Sequence, residues 1–423
     1  MKKRSSQTSA GIALLNQEPP QPLDPVVFHA ALLKWYKRHA RDLPWRGVDD
    51  PYATWLSEIM LQQTRVATVI ERYQEFLLRF PTIRALAEAN EDDVLALWSG
   101  LGYYRRARML HRAAQFVTRE LKGKLPRTAE ELRTLPGVGD YTSAAIASIA
   151  YGESVAVVDG NVERVLLRIL GRPEEKGAAA RALIQETAQS LIPPQPVRRT
   201  RANPCGDHNQ AMMELGATIC TPRSPLCLQC PVLELCHTRG EHITGERPQM
   251  LSRTVAHLLI RRRRGTREEV LLSRRPDDAS LMPNMLELPP LSIDAVEGLE
   301  PVLRVRHSIT NTNYYVMIFA ERIAGLPPQT EDLSDEIVLA SSEALTRPVS
   351  DLSGLEPEDI PFVAETPSED DELSLLSSIP TAQSDMFWFP VTRLPALAIT
   401  GLTRKVLQRL GVMQIPKPVR RAP

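Results

Sequence analysis

The sequence contains no apolar run long enough to cross a bilayer, so membrane insertion is not expected. Polar residues, rather than an apolar stretch, follow Met1-Lys2-Lys3-Arg4, and this argues against a secretory signal. Cysteine is scarce, with five in 423 residues, and four of the five crowd into one short stretch. That usage argues against a disulfide framework and for a reducing compartment. Neither sign of charge dominates: 51 Lys and Arg balance 51 Asp and Glu, so net charge identifies no partner. The average conceals basic clusters at Arg105-Arg106-Ala107-Arg108, Arg198-Arg199-Thr200-Arg201 and Arg261 to Arg264, and an acidic run at Glu369-Asp370-Asp371-Glu372. Each is ordinarily a solvated face and speaks only weakly for nucleic acid by itself. No solenoid repeat is detectable.

The crowded cysteines are Cys220, Cys227, Cys230 and Cys236, a C-x6-C-x2-C-x5-C array. Four thiolates on one loop suit an iron–sulfur cubane, a [4Fe-4S] cluster. Zinc is the competing metal, but its structural sites usually pair two C-x2-C knuckles across a gap, and only one such knuckle occurs here. Pro222, Arg223 and Pro225 stiffen the first loop into a protrusion able to meet phosphates, which favours a structural cluster. Cys205 lies outside the spacing and reads as an ordinary thiol.

The length suggests two domains or more. Residues 1–24 read as a disordered tail. Residues 25–238 have helical periodicity, in segments such as Val26–Arg38, Thr54–Phe80, Glu91–Leu97 and Val162–Leu170, and read as an all-α domain whose cluster loop spans 220–236. Residues 239–253 read as a linker. Strand-like runs then appear at Val255–Arg261, Val270–Ser273, Val302–Arg306 and Tyr314–Ala320, giving an α+β domain over 254–411. A Ser-, Pro- and acid-rich insertion at about 341–385 interrupts it, and 412–423 form a tail.

Within the helical half, Thr128-Ala129-Glu130-Glu131 has capping-box spacing, and Leu135-Pro136-Gly137-Val138-Gly139-Asp140 then turns the chain into the helix Tyr141–Tyr151. Two glycines permit a tight turn that aims amides, Val138 among them, at an anion such as phosphate. A G-x-G alone is more often a plain turn, but LPGVG before a small-residue helix is a helix-hairpin-helix signature, a sequence-independent grip on a DNA backbone. Asp159 precedes the amphipathic helix containing Val162, Val165, Leu166 and Ile169. It reads as an N-cap, and the same position favours an ionised carboxylate.

The order of hairpin, aspartate and four-cysteine array resembles the endonuclease III-like DNA glycosylases. The segments LPWR (Leu43–Arg46), LSEIMLQQT (Leu56–Thr64), WSGLGYYRRAR (Trp98–Arg108), VDGNVERV (Val158–Val165) and NQAMMELGATIC (Asn209–Cys220) resemble adenine DNA glycosylases of the MutY type. The likeness is strong over residues 24 to 240 and fainter to about Gly411. It implies a multidomain enzyme, in which an all-α helix-hairpin-helix domain with an iron–sulfur loop is followed by an α+β Nudix-like domain. The expected activity is removal of adenine mispaired with 8-oxoguanine or guanine in double-stranded DNA. A cytoplasmic, nucleoid-associated monomer is expected.

The resemblance assigns Glu58 as general acid and Asp159 as electrostatic stabiliser or transient nucleophile, supported by Tyr141 and Asn161. This is the two-carboxylate logic of glycoside cleavage. Bifunctional relatives carry a Schiff-base lysine where this chain has Tyr141. Gln63, Leu101 and Tyr103 match the family's wedge into the DNA stack, and Trp45, Arg46, Leu61 and Gln210 match the border of the adenine pocket. Gly137, Val138 and Gly139 would hold the DNA backbone. The Nudix-like domain has no metal-binding Nudix box. The family reads 8-oxoguanine there through a Phe-Ser-His loop, whose counterpart here is taken as Ile309-Thr310-Asn311, with Ser308, Thr310 and Asn311 as the reading groups. Three other readings stay open: a bifunctional pyrimidine glycosylase and lyase, a purine-mismatch glycosylase indifferent to guanine oxidation, and a non-enzymatic iron–sulfur DNA-binding module.

Overall fold

A computed structural model describes residues 23–195, 203–241, 249–309, 311–323, 337–339, 379 and 385–414. Residues 1–22 of the expected tail, the Arg198–Arg201 cluster, Thr310, nearly all of the 341–385 insertion and the end from Ile415 lie outside the described residues. The described helices are, in chain order, α1 (Pro25–His39), α2 (Pro51–Leu61), α3 (Val66–Arg79), α4 (Ile83–Ala87), α5 (Glu91–Leu97), α6 (Arg105–Glu120), α7 (Ala129–Leu132), α8 (Asp140–Tyr151), α9 (Gly160–Ile169), α10 (Ala178–Leu191), α11 (Pro204–Thr218) and α12 (Gly401–Arg409). The strands are β1 (Leu251–Arg264), β2 (Arg267–Arg274), β3 (Leu286–Glu287), β4 (Pro290–Leu291), β5 (Leu303–Ile309), β6 (Thr312–Ile323), β7 (Ile337–Leu339) and β8 (Met386–Pro390). The chain divides into two compact units, residues 1–62 with 113–245 and residues 63–112 with 246–423.

The first unit is helical. Its main core joins Phe28, Leu32 and Trp35 of α1 to Val165 and Leu166 of α9, Ile184 and Leu191 of α10, and Met212 and Leu215 of α11. Asp24 caps α1 and Asp50 caps α2, each followed by a proline whose missing N–H costs nothing at a helix start. Every residue of α2 from Tyr52 to Met60 is buried. Ala53, Thr54 and Ser57 keep it slim enough to be surrounded, and Thr142 to Ser148 do the same for α8.

One expected helix is two. The apolar spacing over Thr54–Phe80 runs unbroken in sequence, yet the chain leaves α2 after Leu61 and restarts at Val66. Gln63 takes a left-handed conformation, φ 56°, which no helix accommodates.

In the second unit an eight-stranded mixed sheet has the path β3-β2-β1-β6-β5, with β4 on β1, β7 on β6 and β8 on β2. β1 and β6 run parallel, Val255 opposite Val316, while the remaining ladders are antiparallel. Both faces of the sheet are covered. Leu259, Val270, Leu272 and Val316 pack with Val406 and Leu407 of α12, whereas Leu258, Ile260, Leu271 and Phe319 form a separate core with Leu291 and Val296. Two-sided cover explains the unbroken buried run Ala256–Ile260, where a one-sided sheet would alternate. β1 and β2 extend well past their apolar centres because Arg261 and Arg262 pair with Glu268 and Glu269 across the hairpin. In the same unit the helical stretch meets the sheet layer: Arg108 donates to the Pro283 carbonyl (2.6 Å) and Tyr104 to that of Ile399 (3.4 Å).

Candidate active site

Two carboxylates occupy the first unit on different helices. Glu58 begins the last turn of α2, 5% exposed, and the Tyr141 hydroxyl from the first turn of α8 donates to its Oε2 at 2.6 Å. Burial pushes the Glu58 carboxyl up to about 7; the Tyr141 hydrogen bond works against that rise and the charge of Asp159 adds to it. Tyr141 is itself driven well above its ordinary value by burial and by Glu58, so it stays a neutral donor. Its hydroxyl also lies 3.5 Å from the Met213 sulfur of α11.

Asp159 caps α9. Its Oδ1 accepts from the backbone N–H groups of Asn161 (2.9 Å) and Val162 (2.7 Å), and its Oδ2 accepts from the Asn161 amide (2.8 Å). Capping and chemistry are therefore compatible in this residue, since the cap fixes the carboxylate while leaving lone pairs on both oxygens. Asn161 is pressed against α11 at Gly216, where an added Cβ would fall 2.7 Å from the Asn161 Cβ. Glycine at 216 is thus a condition of the Asn161 position.

The sequence reading missed the arginines beneath this group. Arg164 Nη2 donates to Asn161 Oδ1 (3.0 Å) and to the Gly216 carbonyl (2.7 Å), while its Nε donates to the Cys220 carbonyl (2.9 Å). Arg168 donates to the carbonyls of Thr221 (2.7 Å) and Pro222 (3.0 Å), and to Cys220 Sγ (3.3 Å). Both stand one helical turn apart after Asn161, on the face of α9 that meets the cysteine loop. Cys220, Cys227, Cys230 and Cys236 line one cavity with Val165, Arg168, Leu215 and Ile219. Four thiols thus line one apolar space, with a guanidinium beside one sulfur, and thiolates are the ligands that hold a [4Fe-4S] cluster. Cys205 stands apart, buried in α11 with its thiol against the Pro193 carbonyl.

The residues expected at the adenine pocket are partly joined. Arg46 Nη2 donates to Glu214 Oε2 (2.7 Å), its guanidinium lies 5.3 Å from the Tyr36 ring centre, and the Tyr36 hydroxyl donates to Gln210 Oε1 (3.4 Å). Trp45 is buried and Leu61 half-buried at the end of α2. Glu214 is a third missed residue. It is 1% exposed and receives Arg41 through both oxygens. Burial alone would raise its carboxyl, but hydrogen bonds from Arg41 and Arg46 hold it down to about 2.

At the hairpin only Gly137 uses a positive φ, 75°; Gly139 is extended, φ −97°, and caps α8 without a side chain. The expectation of two glycines serving the turn is corrected to one, the other leaving the α8 amides uncovered. In the second unit Gln63 and Tyr103 are exposed, both with positive φ, and Leu101 is buried. Ser308 and Ile309 are the last residues of β5 rather than part of a loop, because Ile309 pairs with Thr312. Ser308 Oγ donates to Asn313 Oδ1 (2.7 Å), which Arg306 Nη2 also reaches (3.2 Å), and Asn311 is exposed at the turn. Arg306 and Asn313 were not foreseen, since their link depends on strand register.

Known proteins resemble this chain over part of its length. Residues 56–209 match the model of the HhH-GPD superfamily base excision DNA repair protein, and residues 220–236 match the iron–sulfur binding domain of endonuclease III. The chain is 50% identical over 223 residues to the adenine DNA glycosylase of Homo sapiens, covering 50% of this chain and 39% of that protein. It is 42% identical over 236 residues to that of Schizosaccharomyces pombe, covering 51% and 49%. The chain thus spans less than half the length of these two relatives. A solved structure described as a thermostable thymine-DNA glycosylase is 31% identical, with a TM-score of 0.46, over 51% of this chain and 96% of that one. Over residues 56–209 the chain is thus similar to the HhH-GPD superfamily of base excision DNA repair proteins, and over residues 220–236 to the iron–sulfur binding domain of endonuclease III.

Proposed function

We propose that the protein is a monofunctional adenine DNA glycosylase, acting as a cytoplasmic, nucleoid-associated monomer on adenine mispaired with 8-oxoguanine or guanine in duplex DNA. The observation that carries this reading is a buried Glu58 that accepts from the Tyr141 hydroxyl, in the same unit as the capped carboxylate of Asp159 whose charge raises the Glu58 pKa further. Glu58 delivers its proton to N7 of the extruded adenine, the bond from N9 to the sugar breaks, and neutral adenine leaves. Asp159 faces the resulting oxocarbenium-like sugar as an anion and stabilises it. Asn161 and Arg164 hold that carboxylate in place. Water then adds to the sugar carbon, and its proton returns to Glu58, leaving an abasic site. No lysine occupies position 141 to form a Schiff base, so strand cleavage is not part of the reaction.

Trp45, Arg46, Leu61 and Gln210 border the base in this reading, Gln63, Leu101 and Tyr103 fill the gap it leaves, and the amides at Gly137, Val138 and Gly139 hold a phosphate. Cys220, Cys227, Cys230 and Cys236 hold the cluster, which shapes the 220–236 loop and contributes no chemical step. The mixed sheet with α12 serves as a Nudix-like module that reads the opposite base through Ser308, Thr310 and Asn311. Single-turnover adenine release from duplexes carrying adenine opposite 8-oxoguanine, guanine or thymine tests the whole proposal. Release should be fastest opposite 8-oxoguanine and absent opposite thymine; no release from any duplex overturns the activity. Ser308→Ala with Asn311→Ala should cut the preference for 8-oxoguanine over guanine by roughly ten- to a hundredfold, as loss of base-edge hydrogen bonds would. An unchanged preference removes the reading role from these two residues.

A further inference from the structure

Two exposed side chains of the second unit are held in a backbone conformation that side chains other than glycine rarely adopt. Gln63 has φ 56° and Tyr103 φ 49°. Strain of this kind persists only where surrounding groups over-determine it. One residue touches both turns. Arg106, in the first turn of α6, donates through Nη2 to Thr64 Oγ1 (3.0 Å), the Leu101 carbonyl (3.0 Å) and the Gly102 carbonyl (3.0 Å). The Thr64 hydroxyl in turn donates to the Leu101 carbonyl (3.1 Å), which closes a small ring between the turns. The same guanidinium lies 5.5 Å from the Trp98 ring centre and 5.7 Å from that of Tyr103. Trp98 is fully buried and donates through Nε1 to the Gly102 carbonyl (3.1 Å), so the stack rests on a fixed base.

We propose that Arg106 is a positioning residue, tying the Gln63–Thr64 turn to the Leu101–Tyr103 turn so that both exposed side chains stand ready to enter the DNA stack before DNA arrives. This rests on the wedge role proposed above for Gln63 and Tyr103. The physical requirement is a planar cation that stacks on rings while donating in its own plane to several acceptors. Arginine meets it, and lysine, a point charge with no planar face, does not. Holding the turns in advance means that base extrusion does not have to pay for ordering two loops at the same moment.

The test uses the full-length, cluster-loaded protein and a duplex carrying 2-aminopurine, a fluorescent adenine analogue, at the target position. The parent should brighten the probe on binding. Arg106→Lys should give less brightening and slow single-turnover adenine release by roughly tenfold or more, the effect of losing about one hydrogen bond to a charged group. In a Tyr103→Ala background the same change should have less effect, because one of the two side chains it positions is gone. Thr64→Val, which deletes only the bridging hydroxyl, should reproduce a weaker form of the defect at an unaltered melting temperature. If the parent itself fails to brighten the probe, base extrusion, the underlying reading, is wrong. If the parent brightens it and Arg106→Lys matches the parent in both signal and rate, the positioning role is wrong. It is equally wrong if the lysine defect is the same size with and without Tyr103, or if Thr64→Val behaves as the parent.

Discussion

Replacing Glu58 by Gln should do two opposite things, abolishing adenine release while making the protein more stable at alkaline pH. The stability effect follows from burial. In the folded protein the Glu58 carboxyl is pushed from its ordinary 4.5 up to about 7, so its ionised form is penalised only in the folded state. Below pH 4.5 both states carry the proton and there is no penalty. Between pH 4.5 and 7 the unfolded chain releases the proton first and stability falls; above pH 7 the loss is complete and constant. A displacement of that size corresponds to about 3 kcal/mol. Glutamine keeps the shape and still offers an oxygen to the Tyr141 hydroxyl, but it has nothing to ionise. The variant should therefore match the parent near pH 4 and exceed it by about 3 kcal/mol at pH 8. Denaturant unfolding of both proteins at the two pH values, followed through the visible absorbance of the cluster, measures this. A Gln variant that gains nothing at pH 8, or gains as much at pH 4, would refute the claim that Glu58 holds a proton because it is buried.

The remaining predictions concern catalysis and the cluster. Adenine release should fall about tenfold for each pH unit above 7, as the general acid deprotonates. Tyr141→Phe removes a hydrogen bond that lowers the Glu58 pKa, so this falling limb should move to higher pH; a limb at the same place would detach Tyr141 from the acid. Asp159→Asn should still bind mispaired DNA but lose release, and release near the parent rate sinks the stabiliser role. Borohydride should trap no covalent complex with DNA; efficient capture abolished by removal of one lysine would point to a lyase. Cys230→Ser should lose the brown colour and weaken DNA binding, whereas stoichiometric zinc in parent protein purified without oxygen would overturn the cluster.

What could be read from the chain was whatever is local. Asp159 precedes an amphipathic run by a helical cap's distance, and its capping bonds span two and three residues, so cap and helix are written side by side. The cysteine spacing is likewise a property of one loop. The break at Gln63 was not legible, because the apolar period continues through Val69 and Tyr73 and no glycine or proline marks the turn. Glu214 was invisible for a different reason. Its partners Arg41 and Arg46 lie 173 and 168 residues away, and nothing in a run of helical residues distinguishes a buried carboxylate from a solvated one. The end of β5 was misplaced because register with β6, rather than composition, carries Ser308 and Ile309 into the strand.

The donor and acceptor at the centre of the first unit, Tyr141 and Glu58, are separated by 83 residues of chain. At a synthesis rate of about 5–20 residues per second, roughly 4–17 seconds pass between the appearance of the carboxylate and that of its partner. During that interval α2, nine of whose eleven residues end up buried, has no α8 to pack against. It leaves the ribosome as an apolar segment waiting for a helix that has not been made. The nascent chain should accordingly be most prone to aggregation, and most dependent on chaperones, when synthesis pauses between residues 62 and 140. Slow codons in that interval would lower the yield of folded protein without altering a single amino acid.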